Sequence, residues 1–311
     1  MADHAANWPD HLEGDARPLV VGILLFNGHT TLDFVGPYTA FSAVGMTIHL
    51  LSNTLDPVLS EDCVLAIGPT ATFDDCPEQL DILFVPGGFV GKAMLDQATI
   101  AFLADRGAMA PYIASVCNGA LILAAAGLLD GYRSATHWAG RDHLAQLGVE
   151  VSTERACIDR NRFTGGGVTA GIDFGLTVFA HTLGEKAAKF AQLMMGYDPK
   201  PPFNAGSPQG AGPEMVALFD KFTADSDTTL RNAVSQVKEQ RAASSPTRHQ
   251  GRMPASPPAS SPPDRPFHRT TSLPTSTVCG ALCDRNPRPY RGRGVVPTSS
   301  FPAPCHCTLG R

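Results

Sequence analysis

The sequence predicts an α/β fold, a largely parallel sheet with helices packed on both faces. Three observations carry that reading. Strand-length and helix-length apolar segments alternate along the body of the chain. The run Leu19–Phe26 (LVVGILLF) is almost continuously apolar, as a central strand buried on both sides requires. Finally, Pro111–Leu123 (PYIASVCNGALIL) reads as a short strand that breaks at Cys117 and continues at once as an Ala/Leu-rich helix.

In chain order, residues 1–17 read as a flexible leader. After the first strand, Asn27-Gly28-His29 turns the chain into a helix over Thr31–Val44 that carries Asp33 near its start. Met46–Ser52 is a second strand, and Cys63–Phe73 holds short strand-like pieces broken by Gly68 and Pro69. Asp81–Val85 (DILFV) is a further buried strand, ending at Pro86-Gly87-Gly88, and a helix over Gln97–Ala108 leads to the Cys117 strand. Thr136-His137-Trp138 opens a helix towards Leu147. Short strands follow near 150–151, 156–159 and 163–164, then Gly165-Gly166-Gly167, helices over 169–183 and 185–196, and a long helix from Pro213 to about Arg241.

The expected organisation is one domain over 18–241 and a disordered Pro/Ser/Arg-rich tail over 242–311. Half of the 26 prolines fall in that tail, where hydrophobic periodicity disappears. Residues 1–241 carry 15 Lys+Arg against 27 Asp+Glu, a net of −12; the remainder carries 9 Arg against 2 Asp, a net of +7. An acidic body argues against binding a phosphate backbone, so no nucleic-acid partner is expected. No apolar run reaches membrane-spanning length and no secretory h-region precedes Pro18, so no membrane partner is expected. Cys63, Cys76, Cys117 and Cys157 are dispersed and match neither a disulfide framework nor a zinc site. The tail group Cys279, Cys283, Cys305, His306 and Cys307 fits no common zinc spacing either. The reading is a cytoplasmic protein with no metal and no cofactor.

Three strand ends carry unusual residues: Asp33, Gly87-Gly88 and Cys117. In open α/β sheets, ligands gather at those carboxyl ends. A cysteine on a strand-to-helix corner is lifted to the sheet's edge, and the helix N-terminus favours its thiolate, although cysteine is equally at home as an inert core residue. Asp33 is either a helix N-cap or a buried carboxyl beside Cys117 with a raised pKa. Gly87 and Gly88 either make a tight turn or offer N–H groups to developing negative charge. His137 is either a structural residue and pocket wall or the base of a Cys/His pair. Trp138 suits a pocket edge or a subunit interface, Gly165–Gly167 close packing at the rim, and Asp173 the bracing of its helix.

Taken together, Leu32-Asp33-Phe34-Val35-Gly36-Pro37, Val85-Pro86-Gly87-Gly88, Ser115-Val116-Cys117-Asn118-Gly119, Ala135-Thr136-His137-Trp138 and Thr164-Gly165-Gly166-Gly167 resemble, in chain order, the DJ-1/PfpI superfamily, which is class I glutamine amidotransferase-like. Gly127-Leu128-Leu129, Thr169–Phe174 and Pro201–Pro208 draw the likeness towards its isonitrile (isocyanide) hydratase branch. The resemblance implies a flavodoxin-like three-layer sandwich with a mostly parallel central sheet, a cysteine nucleophile elbow and a homodimer. It implies Cys117 as nucleophile and Asp33 as acid/base, with Gly87, Gly88, Asn118 and His137 around substrate or oxyanion. Asn118 stands where the branch usually has Thr; an amide donates a hydrogen bond but is not a hydroxyl.

The reaction so implied is a hydro-lyase-type hydration of a small-molecule isocyanide to an N-substituted formamide. Cys117 attacks the isocyanide carbon while Asp33 delivers a proton, and water then releases the product from a thioimidate. The alternative is a non-catalytic ligand- or redox-sensing module, related to the amino-terminal domain of AraC-type regulators. A DNA-binding helix-turn-helix region after it would need compact helical patterning, which residues 242–311 lack.

Overall fold

A computed structural model of the chain describes residues 18–244. The expected leader and nearly all of the expected tail lie outside them; residues 242–244 continue the last helix. The first half runs β1 (Val20–Leu24), α1 (Thr31–Ala43), β2 (Thr47–Ser52), β3 (Val58–Leu59), β4 (Ala66–Ile67), β5 (Ala71–Thr72), β6 (Ile82–Val85), α2 (Gly91–Leu95), α3 (Gln97–Met109), β7 (Tyr112–Val116) and α4 (Gly119–Ala125). The second half runs β8 (Arg133–Ser134), α5 (Arg141–Gln146), β9 (Glu150–Val151), β10 (Ala156–Asp159), β11 (Arg162–Gly165), α6 (Ala170–Thr182), α7 (Glu185–Met194), α8 (Pro208–Ala211) and α9 (Pro213–Ser244).

Seven strands form the central sheet in the order β10-β11-β7-β6-β1-β2-β5. Every neighbouring pair is parallel except β10 with β11. Because side chains alternate across a strand, the apolar runs supply two cores at once. Leu24, Leu83, Val85 and Ile113 point to one face, where they meet Leu103 of α3, Leu121 and Leu123 of α4, Leu144 of α5 and Val234 and Val237 of α9. Val21, Ile23, Phe84 and Ala114 point to the other, against Phe41 of α1, Phe174 and Phe179 of α6 and Ala191 of α7. The result is the flavodoxin-like three-layer sandwich. On the second face Phe41 meets Phe84 and Phe179 edge-on at 6.0 and 5.7 Å between ring centroids. Each ring is fully buried, and burial of one such side chain stabilises the fold by about 1.5–3 kcal/mol.

The sequence reading missed α2, α8 and the short strands β3 and β8. It also placed a continuous helix from Thr136, where the structure has a 3-10 turn at Trp138–Gly140 before α5. Packing explains the turn: a Cβ on Gly140 would stand 2.4 Å from Asn118 Oδ1, so the chain passes the Cys117 corner through a glycine held by its 2.8 Å bond to His137 O.

Candidate active site

The registers of β6, β7 and β11 bring their carboxyl ends level, with Val85 opposite Ser115 and Gly165 opposite Val116. Cys117 follows directly, in the left-handed conformation at φ +54°. For a residue with a Cβ this costs on the order of 1–2 kcal/mol, so neighbours must hold it. Its N–H is shared between Gly166 O at 2.7 Å and Gly165 O at 3.1 Å, and its C=O accepts from Thr136 Oγ1 at 2.8 Å. The next turn can follow so sharply because residue 119 is glycine: a Cβ there would lie 2.3 Å from Val85 O and 2.7 Å from Pro86 O.

Asp33 reaches the same point from the first turn of α1, and it is not the helix N-cap; Thr30 holds that position. Its side chain is fully buried, and Oδ2 accepts from Gly87 N–H at 3.1 Å. A hydrogen bond also joins its carboxyl to Cys117, so thiol and acid form a closed pair. Burial pushes the Asp33 pKa up to about 7, against the opposing effects of the Cys117 and Gly87 hydrogen bonds. Burial, and then the Asp33 charge, push the Cys117 thiol well above its ordinary value. The helix-end influence expected to favour thiolate is present as the Asn118 N–H bond to sulfur, but it is outweighed. The resting pair is therefore a thiol beside a carboxyl that titrates near neutrality. Asp33 Oδ1 is buried without a protein partner, and so is Asn118 Oδ1.

The remaining expected residues divide. Gly87 lies against the pair, since a Cβ on it would come within 2.7 Å of both Asp33 Oδ2 and Cys117 Cβ. Its N–H is directed to Asp33 and its C=O accepts from Thr30 N–H at 3.0 Å. Gly88, at φ +130°, packs on the Gly28–Thr30 backbone. Asn118 adjoins Cys117 and faces Gly140. His137 stands apart in its bonding: its Nδ1 accepts from Ala139 N–H at 3.4 Å, and its ring packs with Trp138 and with Phe219 of α9. Among the described residues it makes no hydrogen bond to Cys117 or Asp33, and burial followed by the Arg141 charge lowers its pKa. Trp138 packs on Phe219 at 4.5 Å between centroids, and Asp173 braces its helix by accepting from Tyr197 OH at 2.9 Å. Thr30 and Glu61, which the fold also brings to this turn, carry no signal in the sequence. Among the described residues no three His, Cys, Asp or Glu side chains gather as metal ligands, and no helix is long and apolar enough to cross a membrane.

A buried cysteine on a left-handed elbow, paired with a carboxyl from the helix after the first strand, defines a class of α/β proteins, and the family model agrees. Residues 20–181 match the DJ-1/PfpI family, and the chain belongs to it. It is 45% identical over 220 residues to the isonitrile hydratase of Pseudomonas putida, covering 70% of this chain and 95% of that protein. The crystal structure of a ThiJ/PfpI family protein from Pseudomonas syringae superposes with a TM-score of 0.68 at 45% identity, over 70% of this chain and 91% of that one. The HTH-type transcriptional regulator GbdR of Pseudomonas aeruginosa is 33% identical over 139 residues, covering 43% of this chain but only 37% of the regulator.

Proposed function

We propose that this protein is a cysteine-dependent enzyme that hydrates isocyanides to N-substituted formamides. The observation that carries the reading is the closed Cys117–Asp33 pair, in which a buried carboxyl titrating near pH 7 is hydrogen-bonded to the thiol. General acid–base catalysis works best with a pKa near the operating pH. The long likeness to the isonitrile hydratase of Pseudomonas putida supplies the substrate class.

In the mechanism, Asp33 carboxylate accepts the Cys117 proton as sulfur bonds to the isocyanide carbon. The same proton passes from Asp33 to that carbon, leaving the thioimidate R–N=CH–S–Cys117. Water then attacks the carbon while Asp33 takes one of its protons and delivers it to nitrogen. Asp33 Oδ1, buried without a protein partner, is the oxygen suited to hold that water. Collapse of R–NH–CH(OH)–S–Cys117 expels sulfur, which recovers a proton from the hydroxyl, and the formamide R–NH–CHO leaves. The net change is addition of one water. Gly87 fixes Asp33, the Asn118 N–H supports developing charge on sulfur, and the Asn118 side chain and Gly88 line the substrate's approach. His137 serves as a wall and takes no proton. We place the protein in the cytoplasm as a homodimer, a state supported by the exposure of Leu193, Phe203 and Phe222.

The test is turnover of a simple alkyl isocyanide, with the formamide followed directly. Cys117→Ala and Asp33→Asn are each expected to lower kcat at least about a hundredfold. Substantial activity in Cys117→Ala would sink the mechanism. A ligand- or redox-sensing role is the second reading, favoured by the likeness to GbdR. Reversible oxidation of Cys117 by peroxide, with no formamide from any isocyanide, would support it over the enzyme.

A further inference from the structure

Glu61, on the loop between β3 and β4, is tied to the Cys117 site through a short relay of hydrogen bonds. Its N–H donates to His29 O at 3.0 Å and its carboxylate accepts from Thr30 Oγ1. Thr30 in turn donates its N–H to Gly87 O at 3.0 Å, and its own C=O accepts from Asp33 N–H at 3.0 Å. The Glu61 carboxylate is thereby anchored beside the turn that carries Asp33 and the glycine that lies on Cys117. Unlike Asp33, Glu61 is exposed to solvent. The neighbouring Asp62 is directed instead to Ser60 Oγ and Val64 N–H within its own loop. The charges that bear on Cys117 are those of Asp33 and Glu61, both negative. Among the described residues no cation joins them in acting on Cys117; the Arg141 charge acts on His137.

We infer that Glu61 is a specificity-determining residue of the Cys117 site, whose carboxylate turns away anionic reactants and favours neutral or cationic ones. A single-sign charge beside a low-dielectric recess focuses its field on whatever approaches. Asp33 Oδ1, buried without a protein partner, is a second carboxyl oxygen turned to the same recess, so an anionic group there meets carboxyl oxygens from both Asp33 and Glu61. The substrate class narrows to isocyanides whose substituent is neutral or carries an ammonium group, and those carrying a carboxylate are excluded. The inference rests on Cys117 being the reacting atom, as the hydratase reading does, but its test needs no isocyanide.

The experiment is alkylation of the full chain by iodoacetamide, which is neutral, and iodoacetate, which is anionic. In both, Cys117 sulfur displaces iodide and forms a bond to the methylene carbon. The Cys117 peptide is quantified by mass spectrometry, because the exposed Cys63 also reacts. Comparing two reagents on one thiol cancels any change in thiolate fraction. Glu61→Gln, which retains an acceptor for Thr30, is expected to raise the iodoacetate-to-iodoacetamide rate ratio about threefold or more, with Glu61→Lys raising it further. Glu61→Asp is expected to keep the wild-type ratio, and about 1 M salt to narrow the gap between wild type and Glu61→Gln. An unchanged ratio in both Glu61→Gln and Glu61→Lys would overturn the inference, as would failure of either reagent to reach Cys117 in every variant. A raised ratio in a protein that makes no formamide would leave this inference standing and remove the hydratase reading alone.

Discussion

Asp33 is held in the one environment where a carboxyl becomes useful at neutral pH, and that environment has a stability cost of known sign. Its pKa rises from 3.8 to about 7 on folding, so between those values the folded state binds more protons than the unfolded chain. Stability contributed by the protonated form is full below about pH 4 and is lost as pH rises from there through 7. The full shift corresponds to about 4 kcal/mol at the alkaline end. Asp33→Asn keeps an oxygen for Gly87 N–H and carries no charge. It is expected to raise the thermal midpoint at pH 8 while leaving it nearly unchanged at pH 4, as read by calorimetry across that range. Equal effects at both pH values would mean that the carboxyl is not desolvated in solution. At this scale Cys117 and Asp33 were legible in the sequence, because each follows a strand that could only be central. Thr30 and Glu61 were not: a polar loop has no period, and nothing local to residues 60–67 shows that β3 and β4 fold it back to His29 and Thr30.

The elements that build the elbow depend on glycine at positions where a Cβ has nowhere to go. Gly119 lets α4 start 2.3 Å, measured from its would-be Cβ, from the carbonyl that ends β6. Backbone cannot yield as a flexible side chain does, so Gly119→Ala is expected to cost about 1–3 kcal/mol and to slow Cys117 alkylation by displacing the corner. Gly68→Ala serves as the comparison: no atom lies within 4 Å of its would-be Cβ, so its thermal midpoint and alkylation rate are expected to match wild type. Should both variants behave alike, the tight contact with Val85 is absent in solution. Long strands and helices were read correctly because burial on both faces leaves an unbroken apolar run, as in β1 and β6. The turn after His137 was misread because Thr-His-Trp carries a helix-opening pattern. Its actual course is set by Asn118, which is distant in sequence and meets Gly140 only once the sheet is assembled.

At the scale of the molecule, both apolar cores close between Leu19 and Val237. The last helix contributes late in its length: Val234 and Val237 are buried in the core on the Leu83 side of the sheet, where α9 packs on α2, and Arg241 then donates to Ala124 O at 3.2 Å and pairs with Asp130. The helix itself was read to about Arg241 and ends at Ser244, because Ala242-Ala243-Ser244 follows a polar turn and has no apolar period of its own. Two truncations separate the contributions. Ending the chain after Ser244 keeps every core residue named above, so the thermal midpoint is expected to stay within about 2 °C of the full chain. Ending it after Asn232 removes both buried valines from that core, together with the Arg241–Asp130 pair. That chain is expected to unfold cooperatively at a midpoint lower by about 10 °C or more, given the losses that accompany deletion of buried side chains. A large drop already at Ser244 would show that residues 245–311 contribute to the stability of the body.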